Sequence, residues 1–300
     1  MNKKITDSGA SYALSRRVMR NVPERWGKSE LTQFLELMEA NGIATFAGLP
    51  KWFEALERID KTLVTDSSNL FHELKGTRVT AARLYMRAFS AYRAAARLAV
   101  SGQLYETAVL RRSIVEHAVY AWVCGHSQSH RDTWVARANG EPERKAARKA
   151  FQWNGLMQLL GTVDQKLATE LGNHYDDSID FGAHPNVEGV NLSSEVVKSE
   201  EEGTQLNTIY AHGPEAIVLA ITDIINTMQL VYRLLLHSVG DRMRVLSIDQ
   251  RFEADVQFIV ALFDEYRRAR STGDNGDSRT DGSVTSTKLA ARGRGLPDRL

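Results

Sequence analysis

The sequence holds a single cysteine, Cys124, in 300 residues. A disulfide within the chain is therefore excluded, and so is a cysteine-rich zinc site. Proline is sparse: the six stand at positions 23, 50, 142, 185, 214 and 297, and none falls between Lys51 and Glu141. A long proline-free stretch rich in Ala, Leu, Arg and Glu reads as successive helices. No run alternates apolar and polar residues with β-branched side chains, so little or no sheet is expected. Net charge is almost absent, with 38 Lys and Arg against 37 Asp and Glu, a formal +1. Such a total does not mark a strongly basic nucleic-acid protein, but it leaves room for a local basic face. Gly-x-Gly-x-x-Gly, P-loop and Gly-x-Ser-x-Gly motifs are missing, which disfavours Rossmann oxidoreductases, kinases and α/β hydrolases. The start, Met1 to Asp7, is not followed by an apolar run. The most apolar stretch, Ile217 to Leu236, is interrupted by Asp223, Asn226, Gln229 and Arg233. We therefore expect no secretory signal, no membrane partner and a cytoplasmic, reducing setting.

What is present is ordinary for a globular chain: 43% hydrophobic and 25% charged residues. Residues 1–28 are polar and basic and read as a loose N-terminal arm. Ser29 is placed to cap a helix carrying Leu31, Phe34, Leu35 and Met38, with Asn41-Gly42 as its stop. Pro50 suits the first turn of the next, where Trp52, Leu56, Ile59 and Leu63 share a face. A helical stretch from Asp66-Ser67, broken near Gly76-Thr77, runs to Val100. The tight connection Ser101-Gly102 leads into a helix over Gln103 to Cys124. Ser127 to about Gly172 reads as two or three shorter helices. Residues 173–212, rich in Asn, Asp, Gly, Ser and Glu, read as one long irregular segment. Pro214 opens a long helix to His237, and a last helix spans about Gln250 to Arg270. The remainder, 271–300, reads as a disordered tail. The expected fold is all-α: a single-domain, mostly antiparallel helical bundle over 29–270, with an N-terminal helical extension and a core over about 75–240.

Two helices carry candidate chemistry. In the helix from Thr77 to Val100, Ala81, Tyr85, Phe89, Tyr92, Ala96 and Ala99 share one side at about 100° per residue, while Arg83, Arg87, Arg93 and Arg97 cluster on the other. No acidic residue occurs between Leu74 and Tyr105. One reading is a nucleic-acid-binding surface for the phosphates of RNA or a nucleotide. The plainer reading is a solvated face paired with acids of neighbouring helices, which the neutral total charge favours. The helix from Gln103 to Cys124 is apolar nearly all round and so belongs at the centre of its bundle. Arg112 and Glu116 lie four apart on it, about 40° from each other. Burying them carries a desolvation cost of several kcal/mol per ion unless they pair well. They are expected to be largely buried, either as a fold-specifying ion pair or as a polar pocket.

Leu110-Arg111-Arg112-Ser113-Ile114-Val115-Glu116-His117-Ala118 resembles the R-S-x-x-E signature of bacterial helical proteins of unknown function related to the HEPN superfamily. The resemblance covers about residues 75–240. It implies that Arg112 and Glu116 sit on a central helix and that His184, in Asp180-Phe181-Gly182-Ala183-His184-Pro185-Asn186, joins them from a later loop. Many HEPN proteins are metal-independent ribonucleases with an Arg, four to six residues, then a His. Arg112 to His117 has that spacing, but residues five apart on one helix point about 140° apart. His184 is therefore the better general base, with an Arg to stabilise phosphorane charge. Arg112, Glu116 and His184 are the candidate catalytic set.

Other features read more plainly. His174, Asp176, Asp177, Asp180 and His184 carry metal-ligand chemistry at irregular spacing, and we read them as a polar loop with no metal and no cofactor. Asn226, Arg233 and His237 form a stripe that either lines the same pocket as Arg112 and Glu116 or, the reading we favour, is the exposed side of an amphipathic helix. Cys124 reads as a packed thiol. The functional expectation is a polar cleft that binds RNA or a nucleotide, with ribonuclease activity as an extension of it. The alternatives are a non-enzymatic protein-interaction module, a small-molecule sensor with a pocket between helices, and association into a homodimer.

Overall fold

A computed structural model describes residues 23–72, 74, 77–183, 187–199 and 203–273. Most of the expected arm and tail, and His184 itself, lie outside the described residues. The fold is an all-α bundle with one small two-stranded sheet. By internal contacts the chain divides into two units, 1–256 and 257–300. The sites described below lie in the first.

Helix α1 (Glu30–Gly48) begins with a reciprocal cap: Ser29 Oγ accepts from the Thr32 amide at 3.3 Å, and Thr32 Oγ1 accepts from the Ser29 amide at 3.1 Å. It runs past the expected stop at Asn41-Gly42. Asn41 Nδ2 donates to the Ser101 carbonyl at 3.3 Å and Thr45 Oγ1 to the Val100 carbonyl at 2.7 Å, so packing on the end of a later helix overrides the local breaker. Helix α2 (Pro50–Ile59) takes Pro50 in its first turn and continues as a π-helical stretch, Asp60–Thr65. A short turn of helix, α3 (Ser67–Leu70), follows.

The centre is the hairpin of α4 (Thr77–Val100) and α5 (Leu104–His126). Most of both rows expected inside are inside: Tyr85, Phe89 and Tyr92 are buried on α4, as are Ile114, Val115, Ala118, Val119 and Trp122 on α5, whereas Ala96 is half-buried and Val109 is exposed. Gly102 in the connecting turn has φ +86°, and a Cβ there would stand 2.7 Å from the His212 carbonyl oxygen. Handedness and close approach both demand glycine. The His212 amide donates to the Gly102 carbonyl at 3.0 Å, pinning the entry to the last core helix.

Four helices, rather than the expected two or three, come next: α6 (Gln128–Ala136), α7 (Glu141–Ala150), α8 (Trp153–Gly161) and α9 (Gln165–Ser178). Helix α9 enters the segment expected to be irregular. Asp164 caps it by accepting from the Leu167 amide at 2.8 Å, and Leu167, Ala168, Leu171 and Ser178 form its buried stripe. It passes into a second π-helical stretch, Ile179–Ala183. Helix α10 (Val187–Ser193) and strands β1 (Ser194–Ser199) and β2 (Gly203–Thr208) occupy the rest; the strands pair antiparallel with Val196 opposite Leu206. The irregular segment is thus mostly ordered. Its polar composition hid elements held by capping and pairing rather than by long apolar stripes.

Helix α11 (Pro214–Val245) fills the third side of the core. It kinks at Val239, close to the end expected near His237. Among the described residues it is the one helix long and apolar enough to cross a membrane, yet 61% of its most apolar window is buried inside the fold. Helix α12 (Ile248–Gly273) closes the described chain.

Candidate functional site

A polar cluster lies inside the fold where α5, α9 and α11 meet, and it is centred on Arg111 rather than Arg112. Arg111 is 4% exposed. Its Nη1 donates to Asp223 Oδ2 on α11 at 2.6 Å. Its Nη2 stands 3.4 Å from Nδ1 and 3.3 Å from Nε2 of His174 on α9. Its Nε is buried with no hydrogen-bond partner among the described residues. Leaving such a donor unmade costs about 1–3 kcal/mol, which the surrounding contacts must offset.

The protonation of His174 follows from its neighbours. Thr227 Oγ1 donates its one proton to the Asp223 carbonyl at 2.6 Å. The 2.6 Å contact between Thr227 Oγ1 and His174 Nε2 is therefore donated by the imidazole. Nε2 carries the hydrogen and Nδ1 a lone pair, toward which Arg111 Nη2 can donate. Burial, together with the Arg111 guanidinium, holds the His174 pKa well below its ordinary range. His174 is neutral here, and the inner cluster is one cation, one carboxylate and two neutral polar groups. Asp223, with its side chain 42% exposed, is its edge toward water.

One residue further along α5, Arg112 points to a more open place. Its Nε donates to Glu116 Oε1 at 2.9 Å, and the two side chains are 24% and 33% exposed. The expected pair exists, but it is half-buried rather than largely buried, because this side of α5 faces the ends of α8 and α9 and not the α4–α11 core. Tyr175 Oη also donates to Glu116 Oε1, at 3.2 Å. The Arg112 guanidinium carbon lies 5.1 Å from the Tyr175 ring centre, within cation–π reach. Trp153, at the start of α8, stacks on Tyr175 with centroids 4.0 Å apart and planes 16° from parallel. One turn on, Tyr120 leads into a second aromatic group with Trp134 and Phe151. Burial and the Glu116 carboxylate raise the pKa of Tyr175 and keep its hydroxyl protonated.

The other candidates are placed as follows. His117 Nδ1 is 2.6 Å from the Ser113 carbonyl, to which it donates along its own helix. His174 and Asp176 lie on α9 rather than on a loop. Among the described residues no three of His, Cys, Asp and Glu gather as a metal site would require. Arg233 is not simply on an exposed stripe: it bonds Glu170 and, at 3.3 Å, Asp164, which His237 also contacts at 3.2 Å. Burial opposes ionisation of Asp164, but the Leu167 amide, His237 and Arg233 outweigh it and lower its pKa. Cys124 is fully buried, and that burial pushes its thiol up to about 12, as fits a packed side chain. On α4, Arg83, Arg87, Arg93 and Arg97 are all exposed. Arg93 pairs with Asp60 at 2.7 Å, and Arg87 reaches Ser90. Arg83, Arg87 and Arg97 have no acidic partner among the described residues. The plainer reading of this face, in which neighbouring acids neutralise it, holds for Arg93 only.

Compared with protein-family models, curated proteins and solved structures, the chain matches none.

Sequence reasoning missed Arg111, Asp223 and Thr227 as site residues and placed His174 in a polar loop rather than on a helix. The available signal was Asp223, a carboxylate inside the most apolar stretch of the chain, which demands a cationic partner.

Proposed function

We propose that the chain is an RNA- or nucleotide-binding helical protein of the bacterial HEPN-like kind, acting in the cytosol, and that its arginines do the binding. The observation that carries this reading is α4: a face of four exposed arginines on a helix without acids, three of them unneutralised. Guanidinium groups in such a row gain most from a polyanion, whose bound counterions they release. The cluster of Arg112, Glu116, Tyr175 and Trp153 supports it with the parts that single-stranded RNA uses: a flat aromatic surface, a guanidinium and a hydrogen-bonding carboxylate. Anisotropy of a labelled oligo-U strand tests the reading. Wild type binds at about 50 mM salt and weakens steeply toward about 200 mM. Changing Arg83, Arg87 and Arg97 to Glu abolishes binding or flattens its salt dependence. Absence of wild-type binding at low salt ends the reading and leaves a protein-interaction module in its place.

Metal-independent RNA cleavage is the second reading, favoured by Arg111 lying against a neutral His174 whose Nδ1 holds a lone pair. Nδ1 would take the 2′-hydroxyl proton as O2′ attacks phosphorus, Arg111 would bear the phosphorane charge, and the imidazolium would return the proton to O5′ as the P–O5′ bond breaks, once substrate reaches past Asp223. RNA cleavage in excess chelator, lost in His174→Ala, is the expected result; an uncut strand at RNA-saturating protein removes it.

A further inference from the structure

We propose that the outer cluster reads guanine, through Glu116. The inference rests on the RNA-or-nucleotide reading and names the base for it. The open acceptor of the cluster is on Glu116. Glu116 Oε1 already accepts two bonds, from Arg112 Nε and Tyr175 Oη. Tyr120 Oη donates to the Phe151 carbonyl at 3.3 Å. Glu116 Oε2 makes no hydrogen bond among the described residues, and its side chain is one-third exposed. The cluster therefore presents a carboxylate oxygen open to a donor, joined through Tyr175 to the half-buried ring of Trp153 that stacks on it.

A ligand that fits is planar, stacks on indole and offers hydrogen-bond donors along one edge. Among the four RNA bases, guanine alone carries two adjacent donors on its pairing edge, N1–H and the N2 amino group. Adenine and cytosine place a bare ring nitrogen beside their amino group, and the single N3–H of uracil lies between two carbonyl oxygens. Each of those lone pairs faces a carboxylate unfavourably. Guanine takes Oε2 with one donor and Oε1 with the other. The bond displaced is the one from Tyr175 Oη, at 3.2 Å the longer of the two on Oε1. Arg112 keeps Glu116 oriented throughout.

The experiment compares labelled oligo-U decamers bearing one central G, A or C, and, separately, GMP and AMP by calorimetry. The G decamer binds about tenfold more tightly than the others, the discrimination expected of a paired base-edge contact. Glu116→Gln reduces that preference to within about twofold, while Tyr175→Phe, which removes the competing hydroxyl, keeps or increases it. Trp153→Ala weakens every decamer alike. Equal binding of all decamers overturns the guanine assignment and leaves RNA binding intact. A preference for GMP without decamer binding keeps guanine and makes the free nucleotide its source. If neither strand nor nucleotide binds, both readings fall.

Discussion

Arg111 and Arg112 are neighbours in sequence and live in different solvents. The first is 4% exposed and bonded to residues of two other helices; the second keeps 24% of its side chain in water and pairs four residues along its own helix. A rotation of about 100° about α5 separates a closed polar centre from an open one. Burial raises the consequence of every missing bond, so the inner cluster is where the fold is most sensitive. Solvent access screens the outer pair, so it can exchange partners at little cost and is suited to a ligand.

The largest expected effect comes from Asp223→Ala. It strands the Arg111 guanidinium, and stability should drop by about 3 kcal/mol in urea melts, the low end for a broken buried pair because Asp223 itself is partly solvated. A loss below about 1 kcal/mol would show that water reaches Arg111 and that the two clusters do not differ as described. Thr227→Val comes next. It leaves the His174 Nε2 hydrogen without an acceptor in a fully buried site, and about 2 kcal/mol should be lost. The third test is pH. The folded His174 pKa lies well below the ordinary value near 6.5, so the unfolded chain binds a proton there that the native state refuses. Stability from this group is complete above about pH 7 and declines as pH falls through 6.5, by up to about 1.4 kcal/mol per pH unit. His174→Asn should flatten that slope between about pH 6.5 and 5; an unchanged slope assigns it elsewhere. The smallest effect is Glu116→Ala, about 1 kcal/mol or less, since both partners of the pair are partly solvated. A loss as large as that of Asp223→Ala would erase the distinction between the two centres.

Much of the architecture was legible from spacing. Tyr85, Phe89 and Tyr92 on α4 and the apolar circumference of α5 are periodic signals, and both helices are central. The Arg112–Glu116 pair was legible for the same reason, because an i,i+4 contact is local. The inner cluster was not. Arg111, His174 and Asp223 are 63 and 49 residues apart in sequence, and no period relates them. His174 was also masked by its surroundings: Gly172-Asn173-His174-Tyr175-Asp176-Asp177 has the composition of a loop, and only Leu167, Ala168 and Leu171 one turn earlier betray the buried stripe that makes it helical. The extension of α1 past Gly42 escaped notice because the bonds that sustain it, from Asn41 and Thr45, end on residues about 60 positions away.

The turn at Gly102 also bears on the order in which the molecule assembles. Helices α4 and α5 are joined by three residues, so the loop that must close before they touch is among the shortest a helical pair allows, and its entropic cost is small. Helix α11 comes to the same core only after the whole stretch from α6 to β2 has been spanned. The α4–α5 hairpin should therefore form ahead of the rest and serve as the nucleus on which α11 condenses. A side chain at position 102 would strain the left-handed turn of the hairpin itself and then meet the His212 carbonyl when α11 docks, so Gly102→Ala is expected to slow both the early and the later, long-range step.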